Sequence, residues 1–380
     1  MPDTATTITL IDACGRAGVP VLLLSDPGAG KSSMVRGLAQ SREIPCETVL
    51  GSIREPADFS GLPVPRDDDV VLWPPKWARN LCEAGAGILL LDELTTCPPG
   101  VQAAMLGVAL ERMVGDVRLP REVVIVACAN PPDKAADGWE LAPPLANRFC
   151  HVRFEPTTQE YIHGLTTGWV SPPASRAIDA GPERRAASRA AVAGFLRTRP
   201  DLVHSYPQTA AEASGAWPSR RTWTMAAEVV ARVRDDDADA RHAAVYGLVG
   251  EGTGTEFLNW LLAADLPDPA AVLADPAGVN WRDRPDRVWA ILAGVVAHCT
   301  AGRASAQRWR DAWGPLVAAA AGGNPDVAAA VSRELARSRP AGVLPPAAAR
   351  AFGQFLEQAG LASPGGRGVR QERDDLELEP

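Results

Sequence analysis

The 380-residue sequence has no CxxC pair, no HExxH run and no excess of basic charge, and each lack removes a class of function. Its seven cysteines, Cys14, Cys46, Cys82, Cys97, Cys128, Cys150 and Cys299, are scattered singly, which argues against a disulfide framework and suits a reduced cytosol. Five histidines without paired ligand spacing argue against a zinc centre. A formal net charge of −8 gives no general footprint for nucleic acid, so nucleic acid is not an expected partner. No apolar run approaches the length of a membrane span, and no basic-then-apolar leader opens the chain. These lacks lead to the expectation of a cytoplasmic protein without a membrane span, long enough for two or three domains.

What is present is a rhythm. From residue 20 to about 154, the runs VPVLLLS, CETVL, GILLLDE, VVIVACA and CHVRF alternate with helical patterns. Each run is almost continuously apolar, as in strands buried on both faces, so a parallel sheet between helices is expected. One stretch breaks the pattern: 54–77 is rich in proline and glycine, carries the polar cluster Arg66–Asp69, then reads VVLWPP, an inserted hairpin. Its Trp77 is expected to pack; for Trp73 packing and exposure both stay open. Beyond about residue 156 the strand runs stop and alanine and arginine dominate. Helices are expected near 184–197, 220–234, 241–264, 286–298, 304–321 and 326–338. In the second of these Ser219 is placed to cap, and Ala226, Val229, Val230 and Val233 form an apolar stripe. The expected organisation is an α/β core over 1–155 with its hairpin at about 54–77, a helical lid over 156–265, a helical extension over 266–361 and a disordered tail over 362–380.

The chemistry sits in LLLSDPGAGKSSMV, Leu22 to Val35. A glycine-rich loop between a buried strand and a helix aims backbone N–H groups and the positive helix end at an anion. Gly28 and Gly30 permit the tight path, Lys31 reaches the β and γ phosphates, and the Ser32 hydroxyl can ligate Mg²⁺. The expected nucleotide contacts are Asp26, Pro27, Gly28, Ala29, Gly30, Lys31, Ser32 and Ser33. Ser25 stands where such loops usually open with glycine; a small hydroxyl residue can make that turn. The strand GILLLDEL delivers Asp92 and Glu93 at its carboxyl end, Asp92 for Mg²⁺ and Glu93 to polarise the attacking water. The strand VVIVACAN ends at Asn130, whose amide can face the γ phosphate or that water.

SDPGAGKSS, SIREPADFSGLPV, LLLDELTTCPPGVQAAML, ERMVGDVRLP, ACANPPD, WELAPPLANRF and WPSRRTW follow in order from residue 25 to 223. In these the chain resembles the MoxR-type AAA+ ATPases of the helix-2-insert clade. The resemblance implies an ATP- and Mg²⁺-dependent, chaperone-like remodeller with a helical lid, a homo-oligomeric ring that is usually hexameric, and a partner carrying a von Willebrand factor A domain. It also implies that Asn130 senses the γ phosphate, that Arg148 in LANRF is an arginine finger offered to the neighbouring subunit, and that an arginine of PSRRTW, Arg221 rather than Arg220, is the lid sensor. Two other readings stand beside it: a nucleotide-gated scaffold or switch that hardly turns over, and a GTP-specific or nucleic-acid-acting relative. No NKxD or LSGGQ run occurs, and the acidic balance speaks against tracking a phosphate backbone.

Overall fold

The computed structural model describes residues 2–131, 134, 138–167, 172–302 and 305–358. Pro132 and Asp133 of ACANPPD and the expected tail over 362–380 lie outside the described residues.

In chain order the strands are β1 (Val21–Leu24), β2 (Cys46–Leu50), β3 (Leu62–Arg66), β4 (Asp69–Trp73), β5 (Ala86–Asp92), β6 (Met113–Val114), β7 (Val117–Arg118), β8 (Glu122–Ala129) and β9 (Cys150–Arg153). The five apolar runs form one parallel sheet in the order β2-β5-β8-β1-β9. Successive side chains leave a strand on opposite faces, and both faces are covered. Val21, Leu23, Ile88, Leu90 and Val126 join a core with the Thr4–Ala17, Lys31–Ser41 and Arg220–Val230 helices. Leu22, Leu89, Leu91 and Ile125 join another with the Lys76–Ala84 and Pro99–Glu111 helices. The architecture is thus the expected α/β core followed by helices.

The Thr4–Ala17 helix was not expected, because its threonines and isoleucines have modest helix propensity. Tertiary burial supplies what propensity lacks. The Thr7 and Thr9 hydroxyls donate to the carbonyls of Asp3 and Ala5 at 2.9 and 2.8 Å, so polar side chains enter the core with their hydrogen bonds made. The expected helix at 241–264 is two helices, Ala238–Val249 and Glu251–Ala264. Gly250 between them has φ 82, and a Cβ there would stand 2.8 Å from the Ala216 carbonyl. At 220–234 Ser219 does cap, accepting from Thr222 N at 3.2 Å, and Ala226, Val229 and Val233 are buried, although the helix closes at Val230.

The insertion folds as an antiparallel hairpin, β3 with β4, seated on the small hairpin of β6 and β7. Leu72 N donates to Asp116 Oδ2 at 2.7 Å and Asp116 N returns a bond to the Leu72 carbonyl at 3.2 Å. Gly115 is required at this seam: its φ is 56, and a Cβ would lie 2.6 Å from the Leu72 oxygen. Trp77 is buried against Phe59, whereas Trp73 is 46% exposed with the Arg79 guanidinium 5.6 Å from its ring centre.

The chain divides into two compact units between Asp265 and Leu266. The second is helical and centres on Trp309, Trp313, Leu316, Leu292 and Val331. Trp309 Nε1 donates to the Leu335 carbonyl at 2.7 Å, so this large ring is buried without losing its hydrogen bond. The expected helix at 304–321 is broken here into Ala306–Asp311 and Trp313–Ala321, since Pro315 has no N–H to return to Asp311. Among the described residues no helix is long and apolar enough to cross a membrane.

Candidate nucleotide site

Parallel pairing brings the ends of β1, β5 and β8 to one edge, and the candidate site is built there. After Leu24 the chain runs through the loop into the Lys31–Ser41 helix. Gly28 and Gly30 have φ 82 and 88, a region that favours glycine, and a Cβ on either would meet nothing within 4 Å. Backbone conformation rather than crowding therefore selects these glycines, and they leave an open cradle before the helix N-terminus.

Lys31 is 8% exposed and its ammonium is turned back over the loop. Nζ donates to the Ser25 carbonyl at 3.0 Å, the Ser25 hydroxyl at 2.8 Å and Asn130 Oδ1 at 2.8 Å. Burial pushes its pKa down, and the nearby charges of Asp92 and Asp26 work against that shift. Asn130 is fixed in turn by Thr95, whose hydroxyl donates to its carbonyl at 2.9 Å. The Asp26 carboxylate accepts from Lys134 Nζ at 2.7 and 2.8 Å. Pro27 and Ser33 are exposed, Ala29 and Ser32 half-buried.

Asp92 closes β5, and Arg36 of the loop's own helix reaches to 3.8 Å from its Oδ2. Cys128 of β8 lies beneath, its thiol pushed up to about 12 by burial and then by the Asp92 charge, while a hydrogen bond with Ser32 pulls the other way. Ser32, Asp92 and Lys31 therefore surround one volume. Glu93 adopts φ 58, a conformation uncommon for a residue with a side chain. Its carbonyl accepts from Thr96 Oγ1 at 2.8 Å, and its Oε2 accepts from Ser52 Oγ at 2.5 Å. The cradle, one ammonium and the hard oxygens of Ser32 and Asp92 fit a magnesium-bound polyphosphate, since Mg²⁺ takes one or two protein ligands with phosphate and water for the rest.

Arg148 is elsewhere. It precedes β9, which runs parallel to β1 with Cys150 opposite Val21, and Cys150 N donates to the Pro20 carbonyl at 2.9 Å. Arg148 thus lies at the amino edge of the sheet, across from its own loop. Its guanidinium bonds the Pro144 carbonyl, and burial, then the charge of Arg221, lower its pKa. The two arginines share a support: Asn147 Nδ2 donates to the Trp217 carbonyl at 3.2 Å, and Ser219 Oγ to Asn147 Oδ1 at 2.7 Å, both buried. Arg220 and Arg221 are both exposed. The structure therefore brings Lys31, Ser32, Asp92, Glu93 and Asn130 to one edge and sets Arg148 with Arg221 at the other.

Sequence reasoning missed three hydroxyls. Ser25 is read there as a turn residue but is a Lys31 acceptor, and a polar residue in place of glycine beside a lysine was the available signal. Ser52 and Thr95 sit inside quoted motifs yet carry no local pattern that marks them.

A solved structure of a "putative ATPase" from Cytophaga hutchinsonii is similar to this chain, with 15% identity and a TM-score of 0.43 over 67% of this chain and 88% of that one. No protein-family model and no curated protein matches the chain.

Proposed function

We propose that the protein is an ATP-hydrolysing AAA+ remodeller of the MoxR type, acting as a ring, hexameric by resemblance, with Mg-ATP sites between subunits. The observation that carries this reading is the meeting of Lys31 with Asn130 at 2.8 Å beside the Asp92–Glu93 strand end. In the proposal the loop N–H groups and Lys31 hold the β and γ phosphates, and Ser32 and Asp92 hold Mg²⁺. When bound, that ion draws off charge developing between the β and γ phosphates. Glu93 polarises the attacking water, and Asn130 leaves its bond with Lys31 to contact the γ phosphate. Arg148 serves the neighbour's site, because the sheet separates it from its own, and Arg221 accompanies it on the same support. Residues 1–155 form the ATPase core, 156–265 the lid and 266–361 an extension; a protein with a von Willebrand factor A domain is the proposed partner.

One observation favours a slower, switch-like variant of this reading: the Glu93 carboxylate is already engaged by Ser52. Both readings share a first test. Lys31→Ala should abolish ATP binding, whereas Glu93→Gln should keep binding and lower turnover by about 10²–10⁴-fold, because one contacts ground-state phosphates and the other only the water. Equal loss of ATP binding in both variants, measured by calorimetry, would overturn the assignment.

A further inference from the structure

The opposite edge of the sheet carries a cavity of 760 Å³ that the nucleotide chemistry does not use. It opens where the Thr4–Ala17 and Lys31–Ser41 helices end, where β8 begins, and where Arg185 and Arg232 reach in from the helical part. With about 3.3 Å of rise per strand residue, β8 sets it roughly 25 Å from Asn130 and the loop.

Among the described residues five arginines and three acids line it, in a chain whose formal charge is −8. Three of the arginines are committed. Arg42 makes a bidentate pair with Asp12 at 2.6 and 2.7 Å, Arg16 bonds Asp179, and Arg232 bonds the Glu228 carboxylate at 3.0 Å. The third acid, Glu122, is exposed, and its charge bears on Arg112. Arg121 and Arg185 make no side-chain hydrogen bond or ion pair among the described residues, and Arg185 Nε is enclosed without a partner. The guanidinium groups of Arg121 and Arg185 are therefore the two lining charges that no acceptor of the chain answers.

We propose that this cavity binds a small phosphate-bearing anion, held by Arg121 and Arg185. Two uncommitted positive charges match a phosphate monoester, which carries about two negative charges near neutrality, and pyrophosphate presents the same oxygens with about one charge more. The guanidinium fork matches phosphate oxygens in pairs. The volume lies within the roughly 300–1,000 Å³ of small-molecule sites. Among the described residues no aromatic side chain lines it, and the proposed ligand is recognised by its anionic group. Bound there, the anion bridges Arg121, in the turn just before β8, and Arg185 of the helical part, and so ties the two together.

The probe is inorganic pyrophosphate, titrated calorimetrically into the full chain saturated with ADP, so that the phosphate loop is filled, with Mg²⁺ omitted because pyrophosphate would chelate it. One pyrophosphate per chain is expected to bind. Arg121→Gln with Arg185→Gln should weaken it at least ten-fold, while Arg121→Lys with Arg185→Lys, which keeps charge but not the fork, should fall between. ADP affinity should be the same in all three proteins, which also reports that the variants fold. Should the double Gln variant fail that check, Arg121→Gln alone, at an exposed position, is expected to weaken pyrophosphate binding several-fold. No binding by the parent protein, or affinities within two-fold of each other for parent and Gln variants, overturns the proposal. So does a change of assembly mass with pyrophosphate affinity intact, which would assign these arginines to a second copy of the chain. Failure to bind ADP at all counts against the nucleotide reading alone.

Discussion

Ser52 Oγ and Glu93 Oε2, 41 positions apart in the chain, stand 2.5 Å from each other because β2 and β5 are neighbours and Leu50 lies opposite Asp92. The carboxylate proposed to polarise water is thus held by a hydroxyl that follows the adjacent strand. A hydrogen bond to a charged group contributes about 1.5–3 kcal/mol, enough to govern where Glu93 rests. Ser52→Ala should release it and raise basal ATP turnover several-fold, while Ser52→Thr keeps the parent rate. Phosphate release by the purified proteins checks this; a fall in Ser52→Ala would mean that Ser52 orients Glu93 rather than restrains it.

Arg148 and the loop occupy opposite edges of the sheet, so one chain cannot complete a site that needs both. Arg148→Ala subunits and Lys31→Ala subunits should each be inactive and should regain part of the activity when mixed, since one kind of mixed interface pairs an intact loop with an intact arginine. If mixed assemblies form by mass and stay inactive, Arg148 has no role in trans.

The β3–β4 hairpin contributes no group to the candidate site. Deleting Pro63 to Val71 is expected to leave basal phosphate release within about two-fold of the parent. Gly115→Ala should act on the same hairpin from its seat: the added Cβ would stand 2.6 Å from the Leu72 oxygen at φ 56. A strained residue of this kind costs about 1–3 kcal/mol. Limited proteolysis between residues 62 and 73 should become faster, and an unchanged cleavage rate would show that the two hairpins are not coupled.

Two thiols give a pH test. Burial, reinforced by Glu93 at Cys97 and Asp92 at Cys128, pushes both up to about 12. Each folded thiol keeps its proton where an unfolded one, near about 8.5, has lost it. The folded state therefore binds more protons between those values, and the contribution of these thiols to stability should be flat below about pH 8.5 and fall as pH rises toward 12. Urea midpoints at pH 7, 9 and 10 check the sign. At pH 8 iodoacetamide should label native Cys97 and Cys128 far more slowly than the half-buried Cys82.

The apolar runs VLLL, GILLLD and VVIVACA and the loop DPGAGKSS were enough to set a parallel sheet with a glycine-rich loop at its carboxyl edge. Burial on both faces leaves a continuous apolar run, and a left-handed turn leaves glycine, so these demands are written locally. The Thr4–Ala17 helix, the break at Gly250, the Ser52–Glu93 bond and the arginine cavity were decided by tertiary structure. A threonine becomes a core residue only when a helix carbonyl accepts its hydroxyl, and Gly250 is needed only because the Ala216 carbonyl lies against it. Arg121 and Arg185 read as ordinary surface charges along the chain. What distinguishes them is that two of the three acids around them, Asp12 and Asp179, pair with other arginines, a relation between distant segments that no local spacing records.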